Sequence, residues 1–397
     1  MKSSGLVLCA LAFSISTPVW AAHTLREALD RAWERAAQGR IAESRGIMAE
    51  ASHTAARSWF PEAPSVEFSH RDDRLNENLG LREREVDLNL PLWLPGQRAA
   101  KSNLAKKESA ESQAAIADAR LSLAGRLRES VWAWAAARTE ADLARERLET
   151  AQRLEADVAR RVKAGDLART DVLMARDETL AASNALSEAR TRERQAQIRY
   201  RALTGLEALP DQMEEDVVRL DRPHPREVVA EAAVARARAE LLLMRESRRD
   251  APELSIGWQQ TREARAQPDS HSLRLGLLFP FATDGHNAPR VAQANAGLIQ
   301  AEAEGRQVQI EIEAEQQEAE ALLENAKAAH SIASERAAAA LERLRLLQKA
   351  FDLGELALSE LMRARGNAGQ AKLEAALART ALALSKARVN QSRGALP

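Results

Sequence analysis

The chain has almost no cysteine and almost no net charge. Its only cysteine among 397 residues is Cys9, and its formal net charge is −1, because arginine and glutamate alternate throughout. A single thiol excludes an intrachain disulfide framework. Proteins that bind nucleic acid carry a basic patch. The balance of charge therefore predicts no nucleic-acid partner.

Long hydrophobic runs are missing as well. The apolar run from Leu6 to Ile15 is too short to cross a bilayer as a helix, which takes about 20 residues. Lys2 precedes this run and Val19-Trp20-Ala21-Ala22 follows it, a pattern typical of a cleavable secretory leader. The sequence predicts a signal peptide over residues 1–21, which includes Cys9, and no transmembrane helix.

Catalytic and metal-binding motifs are a third absence. There is no nucleophile and base at motif spacing, no phosphate-binding loop and no zinc motif. The histidines after the leader do not show the spacing of metal ligands, and they include His53, His70, His224, His271, His286 and His330. We expect no enzymatic activity, no cofactor and no metal site.

What the sequence does contain is an internal repeat. Residues 165–176 return as residues 354–365, with Gly165 matching Gly354 and Asp171 matching Glu360. An alanine-rich helical pattern enters and leaves each copy, so each glycine is predicted to form the tight reversal of a helical hairpin. The predicted organisation is repeat 1 over 22–205, a connector over 206–223 and repeat 2 over 224–397.

Hydrophobic periodicity predicts the same elements twice. A first helix is expected from Thr24 to about Ser58, and a shorter counterpart opens the second repeat. A helix of about 68 residues, on the order of 100 Å long, should reach each tip glycine. Return helices are predicted over residues 167–203 and 356–393.

Between these helices the apolar period changes from helical to alternating. Two segments in each repeat alternate apolar and polar residues, around Val66 and Phe68, from Val86 to Leu92, from Leu254 to Trp258 and from Leu273 to Phe281. Strands of about ten residues are long enough to cross a membrane when tilted. The sequence predicts four such strands.

Aromatic residues are scarce, at 4%, yet they collect at the strands. Those at or beside a predicted strand include Phe68, Trp93, Trp258, Phe279 and Phe281. They could fill the core of a soluble sandwich or form an aromatic girdle at a membrane interface. The polar second face of the strands and the secretory leader favour the girdle.

Four strands cannot close a membrane barrel, and an open edge would leave backbone groups unsatisfied in lipid. Two chains would give eight strands around a filled interior, and three would give twelve around a lumen. The predicted fold class is therefore mainly α with a membrane β-barrel portion. It is a duplicated strand pair plus long helical hairpin, assembled as a trimer with 12 strands and a 12-helix tube.

The chain resembles the TolC-like outer-membrane efflux factors over essentially its whole mature length. The resemblance rests on the two helical tips, at 165–172 and 354–361. It also rests on two strand endings, Leu-Pro-Leu-Trp at 90–93 and Leu-Phe-Pro-Phe at 278–281. It implies a homotrimer in the outer-membrane lipid of a Gram-negative bacterium, with a helical tube across the periplasm. It also implies two partners, a periplasmic adaptor protein that meets the tips and an inner-membrane pump.

The cargo and one other class of protein remain alternatives. Segments 250–254 and 287–290 are most similar to CzcC-like members of metal-cation efflux systems, which implies passage of metal cations. Drug efflux and type I protein secretion are the other channel functions. A periplasmic coiled-coil scaffold or adaptor with a soluble β-domain is the alternative outside the channel class.

Two sets of site residues follow from the repeat and the resemblance. Gly165, Leu167, Gly354 and Leu356 are predicted as adaptor-contact tips, although the glycines could simply terminate helices.

A periplasmic gate is predicted from Asp171, Glu360 and Arg363. Three copies of Glu360 would favour cations at the narrow end of the tube. Arg363 could pair with Glu360 or with Asp171 as a latch, or form only a solvated i,i+3 pair. The resemblance implies that Asp171 belongs to the network that keeps the tips closed.

Overall fold

The computed structural model describes residues 24–75, 77–247, 249–281 and 284–397. The predicted signal peptide, with Cys9, lies outside the described residues. Seven helices and four strands follow in chain order: α1 (Leu25–Arg35), α2 (Ala37–Arg57), β1 (Ser65–Asp72), β2 (Arg82–Pro91), α3 (Gln97–Ala164), α4 (Arg169–Thr204), α5 (Pro225–Glu246), β3 (Glu253–Arg262), β4 (Ser270–Leu278), α6 (Asp284–Asp352) and α7 (Leu358–Ser392).

The long helices and their tips have the predicted form. Helix α3 has 68 residues and α6 has 69. Gly165 and Gly354 adopt the left-handed conformation, with φ of 89° and 80°. At each tip two backbone N–H groups donate to the last turn of the helix, Gly165 to Val162 and Asp166 to Arg161 in the first repeat. This is a Schellman motif, and a residue with a side chain would be strained at the glycine.

The predicted first helix is broken in the structure. Thr24 caps α1 as expected, with its hydroxyl oxygen accepting the N–H of Glu27 at 3.2 Å. Ala36 is extended, with φ of −70° and ψ of 135°, and separates α1 from α2. Helix α1 buries Leu25 and Leu29 in a core shared with α3 and α4, whereas α2 packs along α3. The break at Ala36 thus separates a segment that packs against both α3 and α4 from one that packs along α3.

All four strands form a single antiparallel sheet in the order β1-β2-β3-β4. The pairing of β2 with β3 joins the two repeats. Strands β2 and β4 end at Pro91 and Leu278, before the predicted ends. Pro280 lacks the N–H that would continue β4. Within a single chain β1 and β4 are the sheet's edges.

The long helices form a layer in which α3 contacts α4, α7 contacts α6, and α3 contacts α7. Alanine is the commonest buried residue on α3, α4 and α7, which lets neighbouring helices approach closely. The largest apolar core lies under α1, where Trp134 and Tyr200 have ring centroids 5.2 Å apart. Among the described helices, none is both long enough and apolar enough to cross a membrane.

A buried ion pair fixes the connector between the repeats. Arg128 on α3 is 1% exposed and binds both carboxylate oxygens of Glu215, at 2.8 and 2.6 Å. The third guanidinium nitrogen, Nη1, donates to the Gln391 side-chain oxygen at 2.7 Å and to the Ala395 carbonyl at 3.0 Å. Asn390 also donates to Glu215, at 3.2 Å. The long helix, the connector and the C-terminal segment thus meet at one guanidinium.

Candidate functional site

The strand register sorts the sheet into two chemically different faces. On one face apolar side chains align in rows across the strands: Phe68, Val86, Trp258 and Leu273; Val66, Leu88, Ile256 and Leu275; and Leu90, Leu254 and Leu277. Several of these side chains are largely exposed, Phe68 and Leu273 at 70% each. A contiguous exposed apolar surface of this kind marks contact with a membrane or another protein.

The opposite face is polar and acidic. It carries five carboxylates and two arginines: Glu67, Glu83, Glu85, Asp87, Glu253, Arg71 and Arg274. Arg274 on β4 crosses β3 to bind Asp87 on β2 at 2.9 Å, and it also contacts Glu85. The crossing passes over Gly257, where an added Cβ would lie 2.4 Å from Asp87 Oδ1. Any larger residue at this position would obstruct the bridge.

The predicted aromatic residues lie at two levels along the strands. Phe68 and Trp258 share one cross-strand row near the hairpin loops. Trp93, Phe279 and Phe281 follow the strand ends nearest the helices. From Val86 in the upper row to Trp93 is seven residues, or about 24 Å of extended chain. In a strand tilted by about 40° this length spans about 18 Å of height, which fits within the roughly 25 Å apolar band of membrane barrels.

The two helical tips pack together within one protomer. Their shared apolar cluster includes Leu154, Val158, Ala175, Phe351, Leu358 and Leu361, which come from all four long helices. Leu167 and Leu356 are half-buried at its margin, whereas Gly165 and Gly354 are exposed. A Cβ added at either glycine would meet nothing within 4 Å. Of the predicted tip residues, the glycines are thus open to a partner and the leucines partly support the cluster.

Arg161 and Phe351 connect the tips and were not predicted as site residues. The Arg161 guanidinium lies 4.9 Å from the centre of the Phe351 ring and donates to the Phe351 carbonyl at 3.4 Å. It also lies 3.6 Å from Asp352. The 3-7 spacing of Leu341, Leu344 and Phe351 along α6 is typical of a helix seam and indicates that Phe351 packs against a neighbouring helix. The sequence gives no signal that its partner is on α3.

The predicted gate residues make local contacts. The Asp171 carboxylate accepts the backbone N–H of Ala168 at 3.1 Å and so caps α4. Arg363 pairs with Glu360 at 3.5 Å, both well exposed. Among the described residues, no ion pair joins Asp171 to Arg363. Glu360 and Asp171 were the two partners predicted for Arg363, and within the protomer Arg363 contacts Glu360.

Arg365, the repeat counterpart of Arg176, is a further charged residue near the tips. It is half-buried and donates to Gln348 on α6 at 2.5 Å, whereas Arg176 is exposed. Burial lowers the pKa of Arg365 from its ordinary value, with Asp352 acting in the opposite direction. The two hairpins therefore differ chemically about three turns from their tip glycines.

The four long helices also line a shared groove of about 470 Å³. Ion pairs border it, including Arg147 with Glu178 at 2.8 Å and Lys372 with Glu146 at 2.6 Å. Over the described ranges, no three His, Cys, Asp or Glu side chains are grouped so that they could hold a metal ion. The charged surface is extended and carries no convergent ligand set.

Comparison with known proteins places this architecture among membrane channels. Residues 28–206, which span most of the first repeat, match the sequence model of the family described as "Outer membrane efflux protein". No curated protein matches the chain significantly.

Solved structures match over nearly the whole length. CusC aligns with a TM-score of 0.77 at 16% identity and covers 96% of each chain. The open state of the Neisseria gonorrhoeae MtrE outer-membrane channel aligns with a TM-score of 0.76 at 18% identity, over 94% of this chain and 90% of that one.

The Campylobacter jejuni CmeC outer-membrane channel gives a TM-score of 0.74 at 14% identity, over 99% and 94%. The chain thus has the fold of outer-membrane efflux channels, and the resemblance to TolC-like proteins is supported at that level.

Proposed function

We propose that the chain is the outer-membrane channel of a tripartite efflux system in a Gram-negative bacterium. It would conduct substrate passively from a periplasmic adaptor and inner-membrane pump to the exterior. The observation that carries this proposal is the sheet with one apolar and one acidic face, joined to helices about 100 Å long. The apolar rows disfavour the alternative of a soluble periplasmic scaffold, which would expose them to water.

The repeat indicates how three copies would assemble. Helix α5 packs against both α3 and α6, whereas its counterpart α2 packs against α3 and leaves Ile41, Ile47 and Met48 exposed. By the repeat, α6 of a neighbouring copy would take the place beside α2 that α3 takes beside α5. The side chains of Ile299 and Ile310 on α6 are 59% and 62% exposed and are available for that contact. Edge strand β1 would likewise pair with β4 of the neighbour, closing twelve strands.

Metal cations are the cargo we propose, with drugs or polypeptides as the alternatives. The support is the acidic face of the sheet and the similarity of segments 250–254 and 287–290 to CzcC-like proteins. Rings of carboxylates favour cations in a pore. No ligand set is needed, since a conduit must release what it passes.

Purified protein added to planar bilayers is expected to form cation-selective channels. Glu360→Ala should weaken block by multivalent cations, because three carboxylates leave the narrow end. Arg363→Ala should raise the open fraction if its pair with Glu360 restrains the tips. Single-channel conductance and reversal potential measure both effects.

The matched control is the Glu342–Arg345 pair on α6. It has the same i,i+3 spacing at 2.8 Å and similar exposure, but it lies farther from the tip. Glu342→Ala should leave conductance and block unchanged. If Glu360→Ala and Arg363→Ala also change neither, these residues are ordinary surface charges. Absence of any conductance in the unmodified protein would refute the channel itself.

Adaptor contact at the tips is the next expected result. Leu167→Ala with Leu356→Ala should reduce crosslinking to the cognate adaptor several-fold, because both side chains border the exposed glycines. A unique cysteine introduced at exposed Ala164 would report the contact, since Cys9 is the only natural one. Leu173→Ala, at a 61% exposed site farther along α4, is the control. Equal crosslinking in all variants would place the docking surface elsewhere.

A further inference from the structure

The apolar face of the sheet ends abruptly at one cross-strand row. Beyond Phe68, Val86, Trp258 and Leu273, the next row on the same face is His70, Arg84, Gln260 and His271. The row after that is Asp72, Arg82 and Arg262. The change from apolar to polar therefore occurs on every strand at the same register, on the side of the hairpin loops.

Some of these charges are already neutralised within the protomer. Arg262 binds Asp269 at 2.6 Å. The Asp72 carboxylate lies 3.3 Å from His70 and 3.5 Å from Arg74. Both arginines are therefore paired, and His70 has a carboxylate partner.

Two cations on β2 are different. In the described part of the chain, neither Arg82 nor Arg84 has an ion pair, and Arg84 is exposed. The adjacent carboxylates, Glu83 and Glu85, lie on the opposite face and contact Arg71 and Arg274. Each protomer thus presents two guanidinium groups that have no ion pair among the described residues, about 7 Å apart along the strand, just beyond the last apolar row of this face.

Their depth in the membrane follows from the proposed function, on which this inference rests. The hairpin loops are then at the exterior, and the row of Phe68 and Trp258 lies at the outer interface, where aromatic rings concentrate. Arg84 is one row farther out, at the level of lipid headgroups. Guanidinium groups bind phosphate bidentately, with charge-assisted hydrogen bonds that the apolar surroundings strengthen.

We infer that Arg82 and Arg84 form a binding site for the phosphate of an anionic lipid in the outer leaflet. Gln260 is the direct cross-strand neighbour of Arg84, and His271 follows it in the same row on β4. The His271 ring stacks on Trp258 at 5.6 Å between centroids with a 20° interplanar angle, and it offers a polar contact to the far side of a large headgroup. Acyl chains of the same lipid would cover the apolar rows below. Three copies of the site would encircle the assembled barrel.

Binding of diphosphorylated lipid A to the detergent-purified full-length protein tests this. Arg82→Gln with Arg84→Gln should weaken binding about thirtyfold, since each arginine near an anionic surface contributes about fivefold. Arg71→Gln is the matched control, because Arg71 is a 76% exposed arginine on the opposite face of the adjacent strand. It should bind lipid A like the unmodified protein. Each variant is first shown to keep the oligomeric mass of the unmodified protein.

Several outcomes would overturn the site. One is that the protein binds lipid A no more tightly than phosphatidylethanolamine. Another is that the Arg71→Gln control loses as much lipid A binding as the double variant. Displacement of lipid A by inorganic phosphate at equal concentration would mean a general anion site and no lipid site. If the protein conducts in phosphatidylethanolamine bilayers in these cases, the proposed channel function stands. Failure to insert into any bilayer would instead refute that function.

Discussion

Glu215→Ala is expected to destabilise the protein by about 3–5 kcal/mol, the usual cost of leaving one member of a buried ion pair without its partner. The charge left behind is that of Arg128, which is 1% exposed and would keep only the Gln391 and Ala395 oxygens. The change should appear as a large fall in the apparent melting temperature followed by circular dichroism.

The neighbouring residue provides the control for this result. Glu214 also pairs with an arginine, Arg379 at 3.5 Å, but both side chains are at least 70% exposed. Glu214→Ala should cost less than about 1 kcal/mol. Arg128→Met combined with Glu215→Leu should recover much of the loss, because no charge is then left buried. Equal melting temperatures for the Glu214 and Glu215 variants would show that the buried pair does not hold the connector.

Loss of assembly is the second large effect we expect. Ile41→Glu with Met48→Glu places two charges on one face of α2, seven residues apart, where the side chains are 52% and 67% exposed in the single chain. If a neighbouring α6 covers this face, burying two unpaired carboxylates should abolish the trimer. Native mass measurement in detergent would then show monomers.

Leu75→Glu is the control, because Leu75 is fully exposed in the loop between β1 and β2. The trimer should survive this change. A trimer that also survives the α2 substitutions would mean that another surface joins the copies. A monomeric unmodified protein would contradict the closed twelve-stranded arrangement.

Features set by local periodicity were predictable from the sequence. The 68-residue span of α3 follows from an uninterrupted helical pattern between Gly96 and Gly165. The apolar and polar faces of each strand follow from the alternation of residue types at period two. In the structure, the strand register aligns the apolar side chains of neighbouring strands in rows. The tip glycines were identifiable because a left-handed residue is needed where each long helix ends.

Features set by contacts distant in sequence were not predictable. Ala36 breaks the first helix between a segment that packs against both α3 and α4 and one that packs along α3, and nothing in the local pattern at that position signals it. Arg128 and Glu215 are separated by 87 residues, and each resembles the many surface charges around it. The same holds for Arg161, whose partner Phe351 lies on another hairpin.

The pairing of β2 with β3 sets the order in which the chain can fold. Phe68 and Val86 are close in sequence, but Val86 and Trp258 are separated by a complete helical hairpin and the connector. Joining segments so far apart carries a loop-closure cost that the local hairpins do not have. The helical hairpins are therefore expected to form first, while the strand edges are still unpaired and prone to aggregate. The sheet should be the last part to be completed, so the helical hairpins would act as the template on which it is assembled.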